Sequence, residues 1–157
     1  MVKTVGLAVT IIAVIAIVIG VVFIAQGISK NNLIVNRMDV EKVSLALDPN
    51  NPGEFTPIRN ATDAQKAADT IAEHRRAIAP TYQDLLNGGR FDSTNPTHLT
   101  YAQAMNLENY LYMAVTAFGL VQVVEANGVF MILVGIAIGV IGLVLIRLSK
   151  NPALAAR

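Results

Sequence analysis

The sequence contains no cysteine. This absence excludes a disulfide scaffold, a zinc–thiolate site, a cysteine-held iron–sulfur cluster and catalysis by a thiol. Charged residues are also scarce: they make up 15% of the 157 residues, whereas 54% are hydrophobic. A soluble domain is usually about a quarter charged, so the shortage of charge indicates membrane segments.

Two apolar stretches of eighteen residues or more contain no charged residue. They are 5–25, near the N-terminus, and 129–146, near the C-terminus. At about 1.5 Å per helical residue, each is long enough to cross the roughly 30 Å of bilayer hydrocarbon. The sequence therefore predicts transmembrane helices at 1–27 and 128–147. The first apolar stretch is too long for a typical signal peptide, which predicts an anchor that is not cleaved.

The charges are separated along the chain. Residues 28–127 contain all eleven acidic residues and eight lysines and arginines. The charged residues of the two tails are all basic: Lys3, Arg147, Lys150 and Arg157. Basic residues beside a span favour the cytoplasmic side. We therefore expect a multi-pass protein of the plasma membrane with both termini cytoplasmic, a short basic tail at 148–157 and the middle segment outside. Because this segment is acidic, it is not a nucleic-acid-binding domain.

Small residues recur at every seventh position of both predicted spans. In the first span they are Gly6, Ala13, Gly20 and Gly27, and in the second they are Gly128, Gly135 and Gly142. This spacing keeps small side chains on one side of a left-handed helix pair, where they let two backbones come close. It predicts an antiparallel pair within one chain. Gly139, four residues after Gly135, predicts a second contact face for another copy or a partner.

The middle segment is predicted to be mostly helical. Residues 33–58 are expected to be extended, with a short strand at 43–47, followed by helices at 62–79, 82–87 and 97–124. Thr62 and Gln65 form a capping-box pattern, and Thr81 is a second N-cap. The predicted fold is a mainly α membrane protein: an antiparallel pair of transmembrane helices with a small extracytoplasmic domain at 28–127.

The stretches 60–86 and 114–145, including Ala117-Phe118-Gly119, resemble a group of small, uncharacterised bacterial membrane proteins. Members have two spans and a helical segment between them, and they often carry the description "aromatic ring-opening dioxygenase". The resemblance covers a little over a third of the chain. It implies an architecture, and it brings no catalytic residues that could be assigned here.

The sequence has few of the residues that a ring-opening dioxygenase or another enzyme needs for catalysis. A non-haem iron site of the facial-triad type needs two histidines and a carboxylate, and the only histidines are His74 and His98. His74 is followed by two arginines, which would repel a metal ion. The sequence also has no nucleophile elbow and no glycine-rich phosphate loop. We therefore expect no catalytic, cofactor-binding or metal-binding residues.

Glu125 is the most interesting single residue, because it lies about one turn before the second span. A carboxylate near the hydrocarbon boundary usually has a partner or titrates. It is either a group that binds a proton, an ion or a partner, or a helix-end residue wetted by lipid headgroups. Arg75 and Arg76 are expected on an exposed polar face. Tyr110 and Tyr112 suit either an aromatic belt or core packing.

Three functions are compatible with these patterns. The first is a non-enzymatic membrane protein, either an accessory or scaffold subunit of a larger complex or a self-assembling homo-oligomer. The second is an extracytoplasmic ligand-binding or sensory module, which would need a separate partner because only about ten residues follow the second span. The third is an enzyme or an ion conductor. The glycine pattern favours the first.

Overall fold

The structure is a computed structural model that describes residues 2–43 and 56–150. It contains four helices: α1 at Val2–Val40, α2 at Ala61–Ile78, α3 at Tyr82–Leu86 and α4 at Pro96–Lys150. The chain divides into two compact units. Unit 1 comprises Met1–Lys30 and Val121–Arg157, and unit 2 comprises Asn31–Leu120.

Unit 1 is an antiparallel pair of long apolar helices, which confirms the predicted fold class. The most apolar 18-residue window has a mean hydropathy of 3.3 in α1 and 3.1 in α4. Only 17% of the window in α1 and 11% of that in α4 are buried inside the protein. The core helix of a soluble protein would be mostly buried. Two candidate transmembrane helices with outward-facing apolar side chains indicate a membrane protein in contact with lipid.

Helix α1 extends further than the sequence pattern predicts. Residues 33–40 were expected to be extended, but they are helical, and the helix ends at Val40. The change to polar residues after Gly27 marks the end of the apolar stretch, yet no proline or glycine interrupts the chain before Pro49. Because Val35 is buried in the core of unit 2, tertiary packing favours the helix there.

The end of α1 has the hydrogen bonds of a Schellman motif. Val43 donates its N–H to the carbonyl of Met38 at 3.0 Å, and Lys42 donates to the carbonyl of Asp39 at 3.2 Å. Lys42 has a φ of 51° in the left-handed region that usually requires glycine, so the sequence carries no signal for this helix end. Residues 44–47 of the expected strand lie outside the described residues.

Unit 2 is built around alanine-rich contacts between α2, α4 and the end of α1. Its core consists of Val35, Ile58, Ala64, Ala67, Ala68, Ile71, Leu111, Ala114 and Phe118. Ile78 near the end of α2 is exposed, whereas the buried residues of α2 form an apolar stripe: Ala64, Ala67, Ala68, Ile71 and Ala72. On α4, Leu111, Ala114 and Phe118 face the core, whereas Leu107 is exposed. The narrow stripe of small side chains lets α2 pack closely against its neighbours.

The N-terminus of α2 is capped by Asn60, and the expected cap at Thr62 is wrong. The Asn60 side chain accepts the N–H of Asp63 at 2.9 Å, and its amide donates to the Asp63 carboxylate at 2.9 Å. Asp63 also accepts the N–H of Arg59 at 3.1 Å. This reciprocal pattern places the N-cap two residues earlier than the Thr62–Gln65 pattern does. Asparagine is also a stronger N-cap than threonine.

The ends of α3 and the start of α4 have their own capping interactions. Thr81 caps α3 by accepting the N–H of Asp84 at 3.2 Å, and α3 ends at Leu86, followed by its C-cap Asn87, whose φ is 45°. The helix predicted at 97–124 continues into the span predicted at 128–147, and both lie in one helix, α4. It begins at Pro96, and the Asn95 side chain accepts the N–H of Thr97 at 2.9 Å.

The two competing caps of α2 can be separated by a matched pair of alanine variants. We expect Asn60→Ala to cost about 1 kcal/mol of stability, because it leaves the N–H of Asp63 without its acceptor. Thr62→Ala is expected to be neutral or slightly stabilising, since alanine is the better residue inside a helix. Thermal unfolding followed by circular dichroism in mild detergent measures both, and a larger loss for Thr62→Ala would contradict the assignment.

Candidate functional site

The two helices of unit 1 touch along the small residues that recur every seventh position, which we call the glycine seam: Gly6, Ala13, Gly20, Gly27, Gly128, Gly135 and Gly142. A Cβ atom on Gly20 would lie 2.6 Å from the carbonyl oxygen of Gly128, and a Cβ on Gly128 would lie 2.7 Å from the carbonyl oxygen of Gly20. Real Cβ atoms do not approach other heavy atoms so closely. The helices therefore meet backbone to backbone.

The same close approach recurs towards the chain termini. A Cβ on Gly135 would lie 2.9 Å from the carbonyl oxygen of Ala13, and one on Gly6 would lie 3.0 Å from that of Gly142. Thr10 lies beside this contact, and its hydroxyl donates to the Gly6 carbonyl at 2.9 Å. The seven-residue spacing of both helices thus places the small residues opposite each other in antiparallel order.

Gly139 lies at the edge of the glycine seam. A Cβ there would have only the Ala13 Cβ nearby, at 3.4 Å, which is an ordinary van der Waals contact. The space at Gly139 is therefore not required by the helix pair itself. The prediction that it contributes to a contact with another molecule stays a prediction.

Glu125 lies beside Gly27 at one end of the glycine seam. A Cβ on Gly27 would collide with the side chain of Glu125, and its carboxylate oxygen would be only 3.0 Å away. Gly27 therefore provides the space that the half-buried Glu125 side chain occupies. The structure places this carboxylate against a helix neighbour, whereas the sequence pattern gave it no partner.

Unit 2 contains a buried ion pair between α2 and α4. The Arg75 guanidinium donates to the Glu108 carboxylate at 2.6 Å, and the side chains of Arg75 and Glu108 are only 12% and 10% exposed. Arg75 also donates to the hydroxyl of Tyr101, a fully buried residue, at 2.5 Å. The hydrogen bond that Arg75 donates to Glu108 raises the pKa of Arg75, so the guanidinium stays protonated at any ordinary pH.

The expectation that Arg75 lies on an exposed polar face is wrong, whereas Arg76 is exposed. Sequence reasoning missed the ion pair, although a signal was present. Arg75 lies four residues after Ile71 and four before Ala79, so it continues the apolar stripe of α2. Glu108 likewise lies on the stripe of α4. Two opposite charges, each on the buried side of its helix, predict a buried pair.

Tyr112 connects the same two helices further along. Its hydroxyl donates to the Asp69 carboxylate at 3.1 Å, and its ring packs against the core. Partial burial, together with the Asp69 carboxylate, raises the pKa of the Tyr112 hydroxyl, so it remains protonated at neutral pH. Tyr112 is therefore a packing residue. Tyr110 is 60% exposed and makes no such contact with the core.

The two histidines do not form a metal site within the described residues. His98 accepts the N–H of Asp92 at 3.1 Å and stacks on Phe91, while His74 is exposed on α2. Hydrogen bonds from Thr94 lower the pKa of the Asp92 carboxyl. Across 2–43 and 56–150, no three histidine, aspartate or glutamate side chains are placed to hold a metal ion.

Unit 2 has a partly enclosed cavity of about 240 Å³. Its walls are mostly apolar and come from the end of α1 and from α2 and α4: Glu41, Lys42, Val43, Ala67, Ile71, Leu107 and Leu111. Such a space accepts a small apolar molecule better than a polar one.

No protein-family model, curated protein or solved structure matches this chain. The resemblance to the small two-span bacterial proteins therefore remains an expectation from the sequence.

A pair of glycine-to-alanine variants tests the glycine seam. Gly20→Ala should destabilise the helix pair by about 1–3 kcal/mol, because its methyl group would meet the Gly128 backbone, which cannot move aside. Gly139→Ala is the matched control, and we expect its effect to be small. The measurement is the apparent melting temperature in mild detergent. Equal effects of the two variants would show that the close contact is absent.

A double-mutant cycle tests the buried ion pair. Arg75→Met and Glu108→Leu should each cost about 3–5 kcal/mol, since each leaves the other charge buried without a partner. The double variant should recover most of this loss, because two apolar side chains then replace the pair. Additive losses, measured by thermal unfolding of the full chain, would mean that the two charges do not interact.

Proposed function

We propose that this chain is a non-enzymatic membrane protein that acts by assembling with other polypeptides, either as an accessory or scaffold subunit of a larger complex or as a homo-oligomer. Both termini are cytoplasmic, and unit 2 lies outside the plasma membrane. The basic tails and the acidic middle segment support this orientation.

One observation carries the proposal: within the described residues, several side chains that could perform chemistry instead hold helices and turns together. Arg75 binds Glu108 and Tyr101, Tyr112 binds Asp69, and His98 receives a hydrogen bond from the Asp92 backbone. An active site would instead direct a nucleophile, a base or an acid into a cleft. Polar groups used in this way are typical of a structural element.

The glycine seam supports the same conclusion. It joins α1 and α4 by backbone contacts, so the large apolar side chains of unit 1 point outwards. A closely packed helix pair of this kind has a well-defined outer surface. Lipid or another transmembrane helix can cover that surface without rearranging the pair.

The cavity in unit 2 favours the second candidate function, an extracytoplasmic ligand-binding or sensory module. Its apolar walls suit a small apolar ligand, and Glu41 and Lys42 contribute charged groups to its lining. A module of this kind would pass its signal to a separate partner. It would not need to form a stable assembly in the absence of ligand.

Extraction of the full chain from its native membranes in mild detergent distinguishes these functions. We expect a particle much heavier than a single 16.8 kDa chain. Mass measurement and identification of the subunits then separate a homo-oligomer from a mixed complex. Extraction in denaturing detergent is the control that defines the monomer. A single chain in mild detergent would contradict the proposal and favour the ligand-binding module.

A further inference from the structure

We infer that α4 of unit 2 associates side by side, in parallel, with α4 of a second copy of this chain. The contact surface is the exposed side of α4, which we call the neutral face: Leu99, Gln103, Asn106, Tyr110, Met113, Ala117 and Leu120. This inference rests on the proposed function and specifies one form of it, the homo-oligomer, together with the surface that forms it.

The neutral face follows a coiled-coil spacing. Its residues are separated alternately by four and three positions, which is the repeat that keeps a contact line on one side of a supercoiled helix. The opposite side of α4 faces the core of unit 2 through Leu111, Ala114 and Phe118. The two periodic stripes of α4 thus have different roles, and among residues 2–43 and 56–150 only one of them has a partner.

Large apolar side chains stand out from this face. Tyr110 is 60% exposed, Met113 is 66% exposed and Leu120 is 63% exposed. Single exposed apolar residues are ordinary, but a contiguous line of them marks an interaction site.

Lipid does not explain this exposure. Tyr112, the residue before Met113, hydrogen bonds to Asp69 on α2, and α2 carries the exposed charged residues Lys66, Glu73 and Arg76. A helix with these charges lies in water, and α4 packs against it at this level. The neutral face therefore meets water unless a protein covers it.

The charge pattern identifies the partner as a second copy. Between Pro96 and Leu120, Glu108 is the only aspartate, glutamate, lysine or arginine, and it is buried against Arg75. In a parallel pair of identical helices, each residue lies opposite itself, so any charge on the contact line would face a like charge. A face without charge avoids this repulsion. A different partner protein would be recognised better by complementary charges.

The polar residues on the line are also compatible with self-pairing. An asparagine amide has both donors and an acceptor, so Asn106 can donate to and accept from the Asn106 of the other copy. Asparagine on a contact line is also a known means of fixing the register of two parallel helices. Gln103 has the same capacity about one turn away.

The membrane determines the orientation and compensates for the small size of the contact. Copies inserted in the same way are parallel, as this pairing requires. The face spans about 33 Å of helix, and a contact between two helices of this length is small for a stable soluble dimer. Confinement to one membrane raises the effective concentration of the two copies, so a weak contact is sufficient.

Disulfide cross-linking in native membranes tests this inference directly, because the chain has no cysteine of its own. Single cysteines replace Asn106, Met113 or Leu120 on the neutral face. Exposed control positions are Asn109 and Thr116 at its side, and Ala77 on α2. A disulfide needs Cβ atoms about 3.5–4.5 Å apart, so we expect dimers at 106, 113 and 120, weaker ones at 109 and 116, and none at 77.

A second pair of variants tests the role of neutrality. Met113→Glu, combined with Asn106→Cys, places two carboxylates opposite each other, and we expect loss of the cross-linked dimer. Ala77→Glu, combined with the same cysteine, is the matched control, since it adds an equal charge to the exposed side of α2. It should leave the dimer unchanged. Both positions are exposed, so neither variant disturbs the core.

The outcomes separate this inference from the proposed function. Cross-links with no preference for the neutral face, or an unchanged dimer in the Met113→Glu variant, would overturn the inference even if the extracted particle is large. Cross-links from the neutral face to another polypeptide would overturn it in favour of the accessory subunit. A monomeric particle without cross-links would contradict both proposals.

Discussion

The close approach of α1 and α4 at Gly20 and Gly128 fixes which side chains of unit 1 face a helix and which face lipid. In a bilayer, apolar side chains gain nothing by leaving lipid for a neighbouring helix, since both environments are apolar. Association therefore depends on dispersion contacts between closely packed backbones, and only very small residues permit them. Because the glycine seam occupies one narrow side of each helix, the larger side chains face outwards.

Unit 2 is stabilised differently, because its helix α2 carries charged side chains on its outer side. Burial of apolar surface drives its packing, but alanine contributes little area to this term. The largest fully buried side chains each contribute more: Tyr101, Phe118, Ile58 and Leu111. The Arg75–Glu108 pair contributes more to the specificity of packing than to the free energy of folding. A buried ion pair often stabilises a protein no more than apolar residues of the same size would. The Arg75–Glu108 pair fixes the register of α2 along α4.

The sequence predicted the parts of the fold that depend on one helix at a time. The spans, the seven-residue pattern and the cap at Thr81 follow from composition, period and local hydrogen bonding, and the structure agrees. It failed where two local patterns competed, as at Asn60 and Thr62, or where tertiary contacts decided the outcome. Residues 33–40 are helical because Val35 reaches the core, and the helix then ends at Lys42 without a glycine.

The candidate sites show the same division. The glycines were found because their spacing repeats, whereas Arg75 and Glu108 were missed because each was judged on its own helix. A charge on an apolar stripe is costly by itself and becomes stable only when an opposite charge on another helix faces it. Pairwise comparison of such positions would have found the ion pair.

Within unit 2, the exposed side of α2 differs from the exposed side of residues 96–120 of α4. On α2, Lys66, Glu73 and Arg76 face outwards, as is usual for a helix in water. On residues 96–120 of α4, the exposed side carries amides, hydroxyls and apolar side chains, and the only aspartate, glutamate, lysine or arginine of this stretch, Glu108, points inwards to Arg75. Composition of the unit as a whole cannot explain this contrast. The proposed contact between two copies explains it, because a charge that is tolerated in water is repelled when the same charge of a second copy lies opposite it.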